Sequence, residues 1–197
     1  MAEIARQGLE IVPGVGICCE GAVRSILLVS RKPWREVKTV AADESSRTST
    51  QLARVILRER FGVSPRITSH RPALNEMLEH CDAALLIGDP ALAIDPADLP
   101  FDWLDLGEEW HSLTQLPMVF AAWAGKPGLR TEPLRELTTS SYEYGSRHLE
   151  EIVLLEAPKR KVSRELAHTY LTRHIHFELA EREQRGLATF LDMVKQQ

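Results

Sequence analysis

A chain of 197 residues, 44% of them hydrophobic and 26% charged, is long enough for one substantial core or two small lobes, and this composition excludes a disordered tract. A net charge of −4 and a pI near 6.0, with Lys and Arg scattered rather than striped along one face, argue against nucleic acid as a partner. The opening MAEIARQ has no apolar h-region and no apolar run approaches membrane-spanning length, so the expectation is a cytoplasmic protein with no membrane partner.

Short β-rich runs recur along the chain: VGICC (15–19), SILLVS (25–30), VKTVAA (37–42), RITSH (66–70), AALLIG (83–88) and MVFAAW (118–123). Amphipathic stretches between several of them predict an α/β protein with mainly parallel strands. Cys18 and Cys19 are adjacent and Cys81 has no evident mate, so buried, reduced thiols are expected rather than a disulfide framework. Between the first two runs, EGAVRS (20–25) reads as a turn in which Arg24 and Ser25 offer an anion partner and a hydroxyl at a strand entrance.

The most informative local feature is DESSRTST, residues 43–50. It follows VKTVAA and opens a helix to Phe61, with Leu52, Val55, Ile56 and Phe61 on one side and Gly62 as the stop. A helix N-terminus exposes unpaired N–H groups and the positive end of its dipole. Ser45, Ser46, Thr48 and Ser49 add hydroxyls there, and Arg47 can bind a carboxylate with two parallel hydrogen bonds, so this is a candidate anion cradle. A generous N-cap with no ligand accounts for the same residues about as well. The lysine and glycines of a nucleotide P-loop are missing.

Further along, DAALLIGD (82–89) is an apolar strand with Gly88 and Asp89 at its exit, where ligands sit in open α/β sheets. Asp89 is a candidate to bind a hydroxyl, although capping the turn that Pro90 enforces is the commoner role. Trp110, Thr114, Leu116 and Pro117 precede a very apolar strand and suit either a pocket wall or a hinge. Beyond Trp123, strand signals vanish and three helices are predicted, over 132–156, 163–175 and 180–194, with Ser163 as a cap. His174 and His176 fall near the end of the second, where a spacing of two does not converge on a metal, and the other histidines form no cluster. A GxSxG elbow and a Cys/His nucleophile signature are both missing.

Taken in order, EGAVRSILLVSR, TVAADESSRTSTQLARVILRERFG, DAALLIGDPAL, LGEEWHSLTQLPMVFAAW and the late YL…REQRGLATF resemble the chorismate dehydratases of the futalosine route to menaquinone. The resemblance implies a type II periplasmic-binding-protein-like fold, two α/β lobes with the ligand between them. On that template the chain comprises one complete α/β lobe plus a partial second lobe with a helical C-terminal tail. Residues 1–36 are then a partial first lobe and crossover strand, 37–113 the central lobe, and 114–197 the return strand and first-lobe helices, with SILLVS and MVFAAW as the crossings.

The activity implied is that of a lyase, a hydro-lyase that dehydrates chorismate to 3-[(1-carboxyvinyl)oxy]benzoate, with no metal or organic cofactor. The alternative is a noncatalytic small-carboxylate-binding module on the same fold. By the resemblance, Ser46, Arg47, Thr48 and Ser49 are the anion cradle, Ser25 lines the cleft opposite, and Asp89 with Thr114 completes the polar wall. Family chains begin with a strand and a loop carrying an Asn proposed as the base; this sequence has no counterpart, so a shortened N-terminus and an unassigned catalytic residue are expected. The family turn Thr-Gly-Leu-Pro-Phe here reads Thr114, Gln115, Leu116, Pro117, Met118, and Gln115 is expected to narrow the pocket or add a polar contact. A half-built sheet would expose edges that favour a homo-oligomer.

Overall fold

Apolar side chains that alternate along the central strands send core to both faces of one sheet. The computed structural model describes residues 1, 4, 7–45 and 47–196. Its larger sheet has five strands in the order β4-β3-β5-β2-β6, where β2 is Ile26–Ser30, β3 Thr39–Asp43, β4 Arg66–His70, β5 Ala83–Ile87 and β6 Asp102–Asp105. A second sheet of three strands has the order β7-β1-β8, from β1 (Glu10–Cys19), β7 (Met118–Gly125) and β8 (His176–Leu179).

Along β2, Ile26 and Leu28 belong to one buried cluster and Leu27 and Val29 to another, the mark of a strand covered on both faces. The first cluster takes Leu52, Val55 and Ile56 from α1 (Arg47–Phe61). It continues through Leu106 and Trp110 of α4 (Leu106–Thr114), Met118 and Val119 of β7, and Leu187 and Phe190 of α8 (Glu181–Lys195). One continuous core therefore joins both sheets. The second cluster takes Met77 and Leu78 from α2 (Leu74–His80) and Ala91 from α3 (Asp89–Leu92).

The α/β architecture is as expected, while the strand directions are less parallel than expected. The parallel pairs are β3 with β4 and β3 with β5; β2 runs antiparallel to β5 and β6, and β1 antiparallel to β7 and β8. β2 enters from the other sheet through a short turn rather than a helical crossover, so no right-handed βαβ connection dictates its direction. SILLVS and MVFAAW are accordingly full sheet members, and the chain passes between sheets in segments 20–25 and 115–117.

The tail also departs from the all-helical expectation. After α5 (Thr131–Arg147) and α6 (Leu149–Glu156), α7 (Arg164–Thr169) runs into a π-helical turn, Tyr170–His174, and then into β8. β8 is too short to carry a strand signal by itself; its ladder to β1, Gly14↔Leu179 and Val15↔Glu178, makes it one. The break between α5 and α6 falls at His148, whose ring stacks on Tyr144 with centroids 4.0 Å apart. Ser163 caps α7 as its sequence predicts, accepting the Leu166 N–H at 3.0 Å.

Candidate functional site

Parallel pairing of β3 with β5 puts the ends of both strands on one edge of the larger sheet, and the antiparallel β2 begins on that same edge. Asp43 ends β3 and accepts the Ser45 N–H at 2.9 Å, turning the chain into α1. Thr48 and Ser49 are buried in the first turn of α1 and Arg47 is exposed at its start. The Met1 ammonium donates to Thr48 Oγ1 at 2.7 Å. No acidic residue stands in that first turn, so the positive end of the helix dipole is not offset by its own side chains. Ser46 lies outside the described residues.

Ser25 sits immediately before β2, 4% exposed, and its carbonyl accepts the Gly88 N–H at 2.7 Å where β5 ends. Its hydroxyl lies 3.1 Å from that of Tyr170, on the π-helical turn. Since β5 separates β2 from β3, Ser25 and the start of α1 stand about two strand spacings apart, roughly 10 Å. Asp89 is exposed at the start of α3, with Arg160 Nε 3.6 Å from its carboxylate. The edge thus gathers Ser25, Thr48, Ser49 and Asp89 from distant parts of the chain.

Thr114 does not join them. Its hydroxyl donates to the Trp110 carbonyl at 2.9 Å and accepts the Leu116 N–H at 3.2 Å, closing the far end of α4. The near end of α4 is the one beside Ser25: Asp105 caps Gly107 and Glu108 and also accepts the N–H groups of Val23 and Arg24, at 2.9 and 2.6 Å. One helix length, about 1.5 Å per residue, therefore separates Thr114 from the loop before β2.

Three other expectations are corrected. The Arg24 guanidinium binds the carbonyls of Ala91, at 3.0 Å, and Ile94, so it fastens the loop after α3 instead of meeting an anion. Trp110 is fully buried, donating Nε1–H to the Pro117 carbonyl at 3.1 Å and standing edge-on to Phe190, so it is core and not pocket wall. Gln115 turns its amide onto its own helix: it is exposed in the left-handed conformation, φ 58°, and donates Nε2–H to the His111 carbonyl at 3.1 Å. That conformation explains why a glycine suits the position.

Sequence reasoning missed Tyr170 and Arg160. Tyr170 falls on the apolar stripe of the predicted helix, and only the π-turn and its contact with Ser25 distinguish it from a packing residue. Burial pushes its phenol above the ordinary tyrosine value; the Ser25 hydrogen bond acts the other way, and the charge of Asp89 adds to the rise. Cys18 and Cys19 are buried free thiols; burial pushes Cys18 up to about 12 and raises Cys19 further. His174 Nδ1 meets the Ala22 carbonyl at 3.0 Å, and His176 Nε2 meets Glu183 at 3.1 Å. Among the described residues, no group of three or more His, Cys, Asp or Glu is arranged to hold a metal ion. Nor is any described helix long and apolar enough to cross a membrane.

A separate surface depression of about 430 Å³ lies between α6 and α7, lined by Glu150, Val153, Leu154, Arg164, Glu165 and His168. It contains none of the residues of the sheet edge.

Among curated proteins, the chain is 28% identical to the chorismate dehydratase of Thermus thermophilus, an alignment covering 95% of this chain and 74% of that one. Among solved structures, a protein from Archaeoglobus fulgidus superposes with a TM-score of 0.66 at 17% identity, covering 95% of this chain and 72% of the other. A putative nitrate transport protein from Thermoplasma volcanium gives 0.52 at 12% identity over 99% and 76% of the two chains. These likenesses fit the periplasmic-binding-protein-like fold. With the family model described as menaquinone biosynthesis matching residues 1–196, the chain belongs to that family.

Proposed function

We propose that this protein is a cytoplasmic hydro-lyase that binds chorismate at the sheet edge between Ser25 and the start of α1 and dehydrates it to 3-[(1-carboxyvinyl)oxy]benzoate. The observation that carries the reading is the convergence, in a chain of this family, of the α1 N-terminus with Ser25 two strands away. The backbone N–H groups and positive dipole end of a helix start favour a carboxylate. Arg47, Thr48 and Ser49 stand where they add side-chain donors to it, and Ser46 belongs to the same cradle by sequence. Asp89 borders the edge through its ion pair with Arg160.

Chorismate loses a ring proton and a neighbouring hydroxide, and the aromatic product supplies the driving force. The protein's task is then to hold two carboxylates, aim the ring proton at a base and assist departure of hydroxide. The similarity to the Thermus thermophilus enzyme supports this choice of substrate.

Purified protein incubated with chorismate, followed by ultraviolet absorbance and mass spectrometry, should yield an aromatic product lighter by one water. Saturable chorismate binding with no such product would sink the lyase and leave the noncatalytic carboxylate-binding reading.

A further inference from the structure

We propose that the Ser25–Tyr170 hydroxyl pair is a second carboxylate-binding point, taking the far carboxylate of a ring-shaped dicarboxylate whose near carboxylate rests on the α1 N-terminus. The proposal builds on the reading of this edge as a carboxylate site. Tyr170 is delivered by an unusual piece of backbone: the Ile175 N–H reaches back to the Tyr170 carbonyl at 3.1 Å, an i→i+5 bond. Such π-turns occur often at functional sites, because they rotate a side chain off the regular helical stripe. The turn is held against the loop before β2 twice, by Tyr170 on Ser25 and by His174 on the Ala22 carbonyl at 3.0 Å. A phenol fixed by two such contacts is placed with little freedom.

Each of the two hydroxyls carries one proton, and their mutual bond uses one of them. One donor is left for an outside acceptor. Burial and the nearby Asp89 both disfavour tyrosinate, so the pair acts as a neutral donor and not as a base. Arg160, shared between Glu156 and Asp89, places a cation beside the same edge. The separation from the α1 start, roughly 10 Å on strand spacing, is of the order that a ring bearing a carboxylate on each side spans with its hydrogen bonds.

Isothermal titration of benzoate and of 3-(carboxymethoxy)benzoate, a stable dicarboxylate of the right shape, tests this with wild type, Tyr170→Phe and Ser25→Ala. Either substitution should weaken the dicarboxylate by roughly 10-fold or more, the range for a hydrogen bond to a charged group, and leave benzoate within about 2-fold. Equal losses for both ligands, or no loss for either, would overturn the assignment of Tyr170 and Ser25 while the carboxylate site stands. If wild type binds neither ligand, the underlying carboxylate reading fails and takes the proposal with it. Melting temperatures of both variants separate a lost contact from a lost fold.

Discussion

Gln115 holds the left-handed conformation that its glycine counterpart adopts without strain, while its amide donates to the His111 carbonyl at 3.1 Å. A side chain there costs about 1–2 kcal/mol, and glycine's extra chain entropy returns roughly half of that. Gln115→Gly also gives up the exposed hydrogen bond to His111, worth about 0.5 kcal/mol, so it is expected to stabilise the protein by no more than about 0.5 kcal/mol, read as a slightly raised melting temperature. Arg47, exposed at the start of α1, should contribute about 1.5–3 kcal/mol to the binding of a carboxylate ligand. An Arg47→Ala variant with undiminished affinity would remove it from the cradle. Asp82 carries a pH signature. Lys32 at 2.6 Å, with the N–H groups of Lys38 and Thr39, holds its carboxyl down at about 2. A carboxyl lowered below its unfolded value stabilises the fold above about pH 4 and loses that contribution as pH falls through 2. Thermal melts should decline less steeply across this window in Asp82→Asn than in wild type.

At the level of elements, α4 and α8 are set by close approaches that leave no room for a methyl group. A Cβ on Gly107 would stand 2.6 Å from the Gly21 carbonyl oxygen, and one on Gly186 would stand 2.0 Å from that of Pro117. These glycines press α4 against the turn after β1 and α8 against the entrance of β7. Gly186→Ala should destabilise by about 1–3 kcal/mol through forced backbone shifts, measured as a lower denaturant midpoint with an unchanged slope. The same packing seals Cys18 and Cys19, while Cys81 is only half-buried. A thiol reagent should thus modify Cys81 first in the native protein and reach the adjacent pair only on unfolding. The elements most legible in the sequence were those with strong periodicity and clear stops: α1 ends at Gly62, in its left-handed conformation, as its pattern predicts. β6 and β8 were not legible, because four residues such as DWLD or HFEL carry too little propensity without their partners.

For the whole molecule, the proposed site draws Ser25 from before β2, Thr48 and Ser49 from α1, Asp89 from after β5 and Tyr170 from the tail. A ligand bridging these pieces should raise the stability of the whole fold, by about 2.7 kcal/mol at one hundred times its dissociation constant. The amino-acid sequence alone settled the α/β class, the helix start after residues 43–46 and the family resemblance, because caps, apolar periodicity and motif order are local properties of a chain. Tertiary structure decided the rest. The antiparallel entry of β2 brought Ser25 beside Gly88, the helix length of α4 kept Thr114 away, and a π-turn carried Tyr170 to Ser25 across 145 positions of sequence. Which hydroxyl faces a site depends on strand direction and helix phase, and those are fixed only when distant segments pair and pack.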